Sequence, residues 1–161
     1  MPKELIKILT ASESDMSVIE QLAQKFDLDC EDMAYEEFVI AKKKDEIIGF
    51  GRLRKYYERA ESKQHCAELA TVGIVPETRK NGVGSMIVKE LIRSGPEEIF
   101  VTCVIPDFFR KFGFKPVKEY PDILQKKVDF CKMYDFKDEQ VFVMRLIKNR
   151  IGDPENAGIG D

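Results

Sequence analysis

The sequence is short of the residues that build metal centres, membrane spans and nucleic-acid surfaces. It has one histidine, His65, and its four cysteines, Cys30, Cys66, Cys103 and Cys131, include no C-x-x-C pair. Those counts lack the ligand spacings of a structural zinc site, so no metal is expected. No apolar run reaches the roughly 18 residues that a transmembrane helix needs, so no membrane association is expected. Charge is nearly balanced, with 26 Lys and Arg against 29 Asp and Glu, a net −3. A general nucleic-acid binder would carry a basic excess, and none is present. The opening Met-Pro-Lys-Glu lacks a signal-peptide hydrophobic region, which predicts a cytoplasmic protein with reduced thiols. No internal repeat or low-complexity block appears, and His65, alone in a polar stretch, is assigned no role.

At 161 residues the chain is long enough to bury about 70% of its unfolded surface without disulfides. One domain is expected over 1–147, followed by a polar tail, 148–161, expected to be poorly ordered. Leu5–Thr10 reads as a strand. Met16, Ile19, Leu22, Ala23 and Phe26 then repeat at helical spacing. A short helix is predicted over Cys30–Glu37. Phe38–Ala41 and Ile47–Leu53 read as a hairpin across the polar turn Lys42–Glu46. Residues 54–65 read as a charged loop. Cys66–Val75 is a fourth strand and Val83–Arg93 a helix stopped by Gly95-Pro96. Ile99–Val104 is an apolar strand, Pro106–Phe112 a short helix, Phe114–Val117 a strand start and Val141–Ile147 a final strand. Residues 118–139 give no clear pattern. The order suits a mixed α/β sheet with helices on both sides.

Chemistry concentrates between Glu68 and Gly84. A β-branched strand meets Pro76, then Arg79-x-x-Gly82-x-Gly84, then an amphipathic helix. Two glycines let the backbone turn tightly and approach a ligand closely. The helix start offers unpaired N–H groups and the positive end of its dipole to the same place. Arg79 adds a charge able to grip phosphate in two-point fashion. The pattern predicts a site for a phosphorylated small molecule.

Read from Ile74 to Gly84, this segment resembles the acyl-CoA-binding signature of the GNAT superfamily of N-acetyltransferases. A second stretch, Asp107-Phe108-Phe109-Arg110-Lys111-Phe112-Gly113-Phe114, resembles that family's Phe-Tyr-x-x-x-Gly-Phe segment. The resemblance spans roughly residues 4 to 147. It implies the GNAT acyltransferase fold, a mixed and mostly antiparallel sheet flanked by helices, with strands four and five splayed around the cofactor. Pro106, Phe108, Phe109, Gly113 and Phe114 are closest in pattern to the N-acetylglutamate synthase-like subgroup, whose further cysteines are absent here.

The resemblance implies acetyl-CoA as cofactor, held by Arg79, Lys80, Asn81, Gly82, Val83, Gly84 and Ser85, by backbone N–H groups at Val72, Gly73 and Ile74, and beside Phe109. Gly73 also admits the plainer reading of a glycine packed under a bulky neighbour. Glu68 occupies the place of the glutamate that accepts the amine proton in several members. Phe109 stands where many members carry a tyrosine that protonates the leaving thiolate. Tyr120, Tyr134, Cys103, unaided departure and a non-catalytic CoA-binding sensor all stay open on that account. The acceptor implied is the primary amine of a small metabolite, an amino acid such as glutamate, with Arg52 and Arg54 as cations for its carboxylates. A protein or peptide acceptor is the alternative. A homodimer is left open.

Overall fold

In a computed structural model of the protein, residues 5–56, 66–79, 81–133 and 140–148 are described, with side chains omitted at 131–133. Two compact units emerge: 1–54 with 69–94, and 55–68 with 95–161. The expected tail therefore lies almost wholly outside the described residues, as does most of the charged loop.

The first unit begins with β1 (Ile6–Thr10), an edge strand, and α1 (Met16–Lys25). Asp15 sets the entry to α1: its carboxylate accepts the main-chain N–H of Ser12 at 2.8 Å. β2 (Phe38–Lys43) and β3 (Glu46–Lys55) form the predicted hairpin, with Lys44 taking a left-handed φ of 57° in the turn. β1 and β2 pair antiparallel, as do β2 and β3, with a bulge between Ala41 and Lys42. β4 (Ala67–Ile74) completes the order β1-β2-β3-β4. β3 and β4 are buried nearly throughout, as befits central strands. One face packs on α1 through Ile19, Ala23, Phe38, Ile40 and Phe50. α2 (Val83–Ser94) buries Val83, Ile87, Val88 and Leu91.

The helix predicted over Cys30–Glu37 does not form; only a single 3-10 turn, Tyr35–Glu37, is present. The chain spends its carbonyls elsewhere. The Asp29 carboxylate accepts the Glu31 N–H at 2.9 Å, Asp32 is left-handed at φ 52°, and the main-chain oxygens of Asp29 and Glu31 accept side chains from β4 and β3. Short acidic side chains that bond their own backbone compete with helix in this way.

The second unit holds β5 (Glu98–Cys103), α3 (Pro106–Arg110), β6 (Lys115–Pro116), α4 (Gln125–Met133) and β7 (Phe142–Ile147), with strand order β5-β7-β6, all antiparallel. α4 supplies the element that residues 118–139 conceal. Among its described side chains Val128 enters the core, and with Leu124 of the preceding 3-10 turn it packs with Tyr56, Cys66, Phe100 and Val143.

Candidate active site

The segment from Val75 to Ser85 is a fixed turn leading into a helix start. Val75 N–H donates to Ile48 O at 2.9 Å, and the Thr78 hydroxyl closes back on Val75 O at 2.9 Å. Gly82 has φ 77°, which a residue with a Cβ adopts only under strain. Its carbonyl accepts Met86 N–H at 3.1 Å, so it caps α2, and the N–H groups of the first turn have no partners within the helix. A Cβ placed on Gly82 would meet nothing within 4 Å. The turn thus has open space beside Gly82. That fits the donor set to a pyrophosphate held by the amides of Gly82, Val83, Gly84 and Ser85, with Asn81 exposed alongside. Lys80 lies outside the described residues.

Arg79 is engaged with its own loop. Its Nε donates to Ile74 O at 3.2 Å, and its guanidinium lies 5.7 Å from the Phe26 ring centroid. In this conformation it braces the loop against the end of α1.

Val72, Gly73 and Ile74 follow the most distorted residue of β4. Thr71 is left-handed at φ 51°, an outlier for a β-branched side chain. Its hydroxyl donates to Asp29 O at 2.9 Å, which ties the distortion to the segment after α1. Gly73 is accounted for by packing: a Cβ there would lie 2.6 Å from Phe50 Cζ and 3.1 Å from both Leu28 and Phe26. The plainer reading of this glycine has direct geometric support, and the backbone irregularity belongs to Thr71.

Arg52 and Arg54, adjacent on one face of β3, are both buried. Arg52 Nη2 donates to Glu31 O at 2.9 Å and its guanidinium lies 5.9 Å from the Phe38 ring. Arg54 sits 3.7 Å from the Asp29 carboxylate and 3.5 Å from that of Glu31. The structure brings together both arginines, Asp29, Glu31 and Thr71. Asp29 and Glu31 carry no sequence signal beyond their charge, which is why the reading of the sequence passes them over.

Glu68, in the second unit, is fully buried. Its Oε1 accepts the phenol of Tyr56 at 2.7 Å. Tyr56 is held in turn by its N–H to Cys66 O at 3.0 Å, and Cys66 by its place in the same core cluster. Burial, then the negative charges of Glu68 and Glu98, push the Cys66 thiol up to about 12, so it stays protonated and inert. Tyr56 is the residue the sequence undersells. In the sequence it stands beside Tyr57 at the mouth of a charged loop, and only the pairing with Cys66 turns it inward.

Phe109 is buried in an aromatic cluster, 5.0 Å from Phe108 and 5.8 Å from Phe114 between ring centroids. The other suggested proton donors divide. Tyr120 donates to Gln125 Oε1 at 2.8 Å, and Cys103 packs against Met144 with 3.6 Å between sulfurs. Tyr134 and His65 lie outside the described residues. Among the described residues no cluster of His, Cys, Asp and Glu could hold a metal, and no helix is long and apolar enough to cross a membrane.

Comparison with known proteins shows the family. The model of the acetyltransferase (GNAT) family matches residues 4–114, more than half of the chain. The chain belongs to the GNAT acetyltransferase family. An uncharacterized N-acetyltransferase of Chlorobaculum tepidum is 28% identical over 116 residues, covering 68% of this chain and 71% of that protein. Among solved structures, Rv2747 from Mycobacterium tuberculosis in complex with CoA and NLQ superposes with a TM-score of 0.66 at 22% identity, covering 89% and 99% of the two chains. N-acetylglutamate synthase from Neisseria gonorrhoeae, complexed with coenzyme A and N-acetyl-glutamate, superposes with a TM-score of 0.69 at 16% identity, covering 92% of this chain and 36% of that one. At such identities the superpositions establish the GNAT fold. The protein is a GNAT N-acetyltransferase, with acetyl-CoA as the co-substrate of its family.

Proposed function

We propose that this GNAT enzyme acetylates the primary amine of a small metabolite, an amino acid such as glutamate, by direct transfer in a ternary complex. The observation that carries the substrate class is the pair of buried arginines on β3, Arg52 and Arg54. Two guanidinium groups taken out of water on one strand are costly unless matched by anions, and their present partners include carboxylates. An acceptor bearing carboxylates offers the same chemistry. The likeness of fold to a synthase crystallised with N-acetyl-glutamate agrees with this reading.

Acetyl-CoA supplies an acetyl thioester, and transfer forms an N–C bond while the C–S bond breaks; CoA leaves as its thiolate, which takes up from solvent the equivalent of the second proton lost by the nitrogen. The amides of Gly82, Val83, Gly84 and Ser85, with Arg79, Lys80 and Asn81, hold the pyrophosphate. Backbone N–H groups at Val72, Gly73 and Ile74 donate to the carbonyl oxygen on which negative charge develops. Phe109, held in its aromatic cluster, lies beside the cofactor. Glu68 accepts the proton that the acceptor's ammonium gives up, a contribution of about 10²–10⁴-fold in rate.

The test is thiol release from acetyl-CoA against glutamate, other amino acids, polyamines and short peptides. Selective turnover of a carboxylate-bearing amine, with a raised KM in Arg54→Gln, is the expected result. Turnover restricted to polyamines or peptides would overturn the substrate class.

A further inference from the structure

We propose that Tyr56 is the positioning residue of Glu68: its phenol O–H, donated to Oε1, fixes the orientation of the carboxylate that receives the amine proton. This rests on the reading of Glu68 as general base. The contact is 2.7 Å between two buried residues, and Tyr56 is fixed at both ends. Its main-chain N–H is bonded to Cys66 O, and its ring is packed with Cys66, Phe100, Leu124, Val128 and Val143. Packing in that cluster and the main-chain bond hold the phenol against Glu68 Oε1.

The proton stays on the phenol, whose ordinary pKa lies about six units above a carboxylate's. Tyr56 is therefore a donor to charged Glu68. Burial alone would favour the neutral acid, which cannot accept a proton, whereas a hydrogen bond donated to the charged form opposes that. Among the described residues, Cys66 and Glu98 are titratable groups of the same neighbourhood, the Cys66 thiol feeling both Glu68 and Glu98. Cys66 stays protonated and adds no competing charge. Glu98 is paired with Arg145 at 2.5 Å.

The experiment follows glutamate side-chain carboxyls by ¹³C NMR across pH, with the Glu68 signal assigned by its loss in Glu68→Gln. Thiol release with the fastest amine of the panel is measured alongside, for wild type, Tyr56→Phe and Glu68→Gln. Tyr56→Phe is expected to raise the Glu68 midpoint by about one pH unit and to move the acidic limb of kcat with it. A fall in kcat of roughly tenfold, with acetyl-CoA affinity unchanged, completes the expectation. If Tyr56→Phe fails to fold, 3-fluorotyrosine at position 56 keeps the shape and strengthens the donor, so the midpoint moves down instead. A Glu68 midpoint and kcat unmoved by either change, with Glu68→Gln inactive, would overturn the role of Tyr56 alone. Wild-type turnover in Glu68→Gln would overturn the base reading and this inference with it.

Discussion

The hydroxyl of Thr71 donates to the main-chain oxygen of Asp29 at 2.9 Å, and it does so from a left-handed residue in the middle of a strand. Arg54 holds the carboxylate of the same Asp29. Strand, strained residue and loop are thereby joined just before Val72, Gly73 and Ile74. Thr71→Val removes the donor while keeping the shape, and is expected to cost about 1–2 kcal/mol of stability. Thr71→Gly loses the same bond but relieves the left-handed strain, so it should be less damaging by about 1 kcal/mol. Urea unfolding of the two variants checks the order.

Gly73 and Gly82 should respond oppositely to a methyl group. Gly73→Ala drives a Cβ to 2.6 Å from Phe50 Cζ, an overpacking expected to cost about 1–3 kcal/mol. Gly82→Ala meets open space and carries only backbone strain, about 1–2 kcal/mol. Gly82→Asp adds negative charge at the proposed phosphate site. Its acetyl-CoA affinity should fall at least tenfold below that of Gly82→Ala, at similar melting temperature. Equal affinity in the two variants would move the phosphate site away from this turn.

The Cys66 thiol has a pH signature. In the folded protein it ionises only near 12, against 9.0 for an ordinary thiol. Above pH 9 the unfolded chain therefore releases a proton that the folded chain keeps. Stability falls as pH rises through that window, by up to about 1.4 kcal/mol per pH unit. Chemical denaturation between about pH 9 and pH 10.5 should show a flatter slope in Cys66→Ala than in wild type.

The buried charge cluster makes a prediction about Asp29. Asp29→Ala leaves Arg54 buried with a lost partner, and is expected to destabilise by about 3 kcal/mol. Glu31→Ala should cost less, because that carboxylate is 55% exposed and its main-chain oxygen still receives Arg52. Thermal melts of the two variants rank them.

The sequence was most readable where a local rule decides the structure. Periodicity predicted α1 and α2, and the polar turn around Lys44 predicted the first hairpin. The Gly82 turn was readable because a glycine at a helix start has a geometric reason. Reading failed where tertiary contacts outvoted local preference. Cys30–Glu37 looks helical, yet its carbonyls serve Arg52 and Thr71. α4 hides in the sequence because lysines and Asp129 break up its apolar residues, leaving no clear stripe at helical spacing. Arg52 and Arg54 were nameable as cations, whereas their partners Asp29 and Glu31 lie more than 20 residues away with nothing to mark them. Tyr56 has no motif at all. Its link to Glu68 depends on which residue of the returning strand it faces, and the charged loop between them leaves that register open.

The central claim is that Glu68 serves acetyl transfer as its general base. The most direct measurement is the kcat of Glu68→Gln against wild type in thiol release, with acetyl-CoA affinity determined on the same samples. The account predicts a fall of at least a hundredfold in kcat at unchanged affinity. A Glu68→Gln enzyme that turns over at the wild-type rate would contradict it.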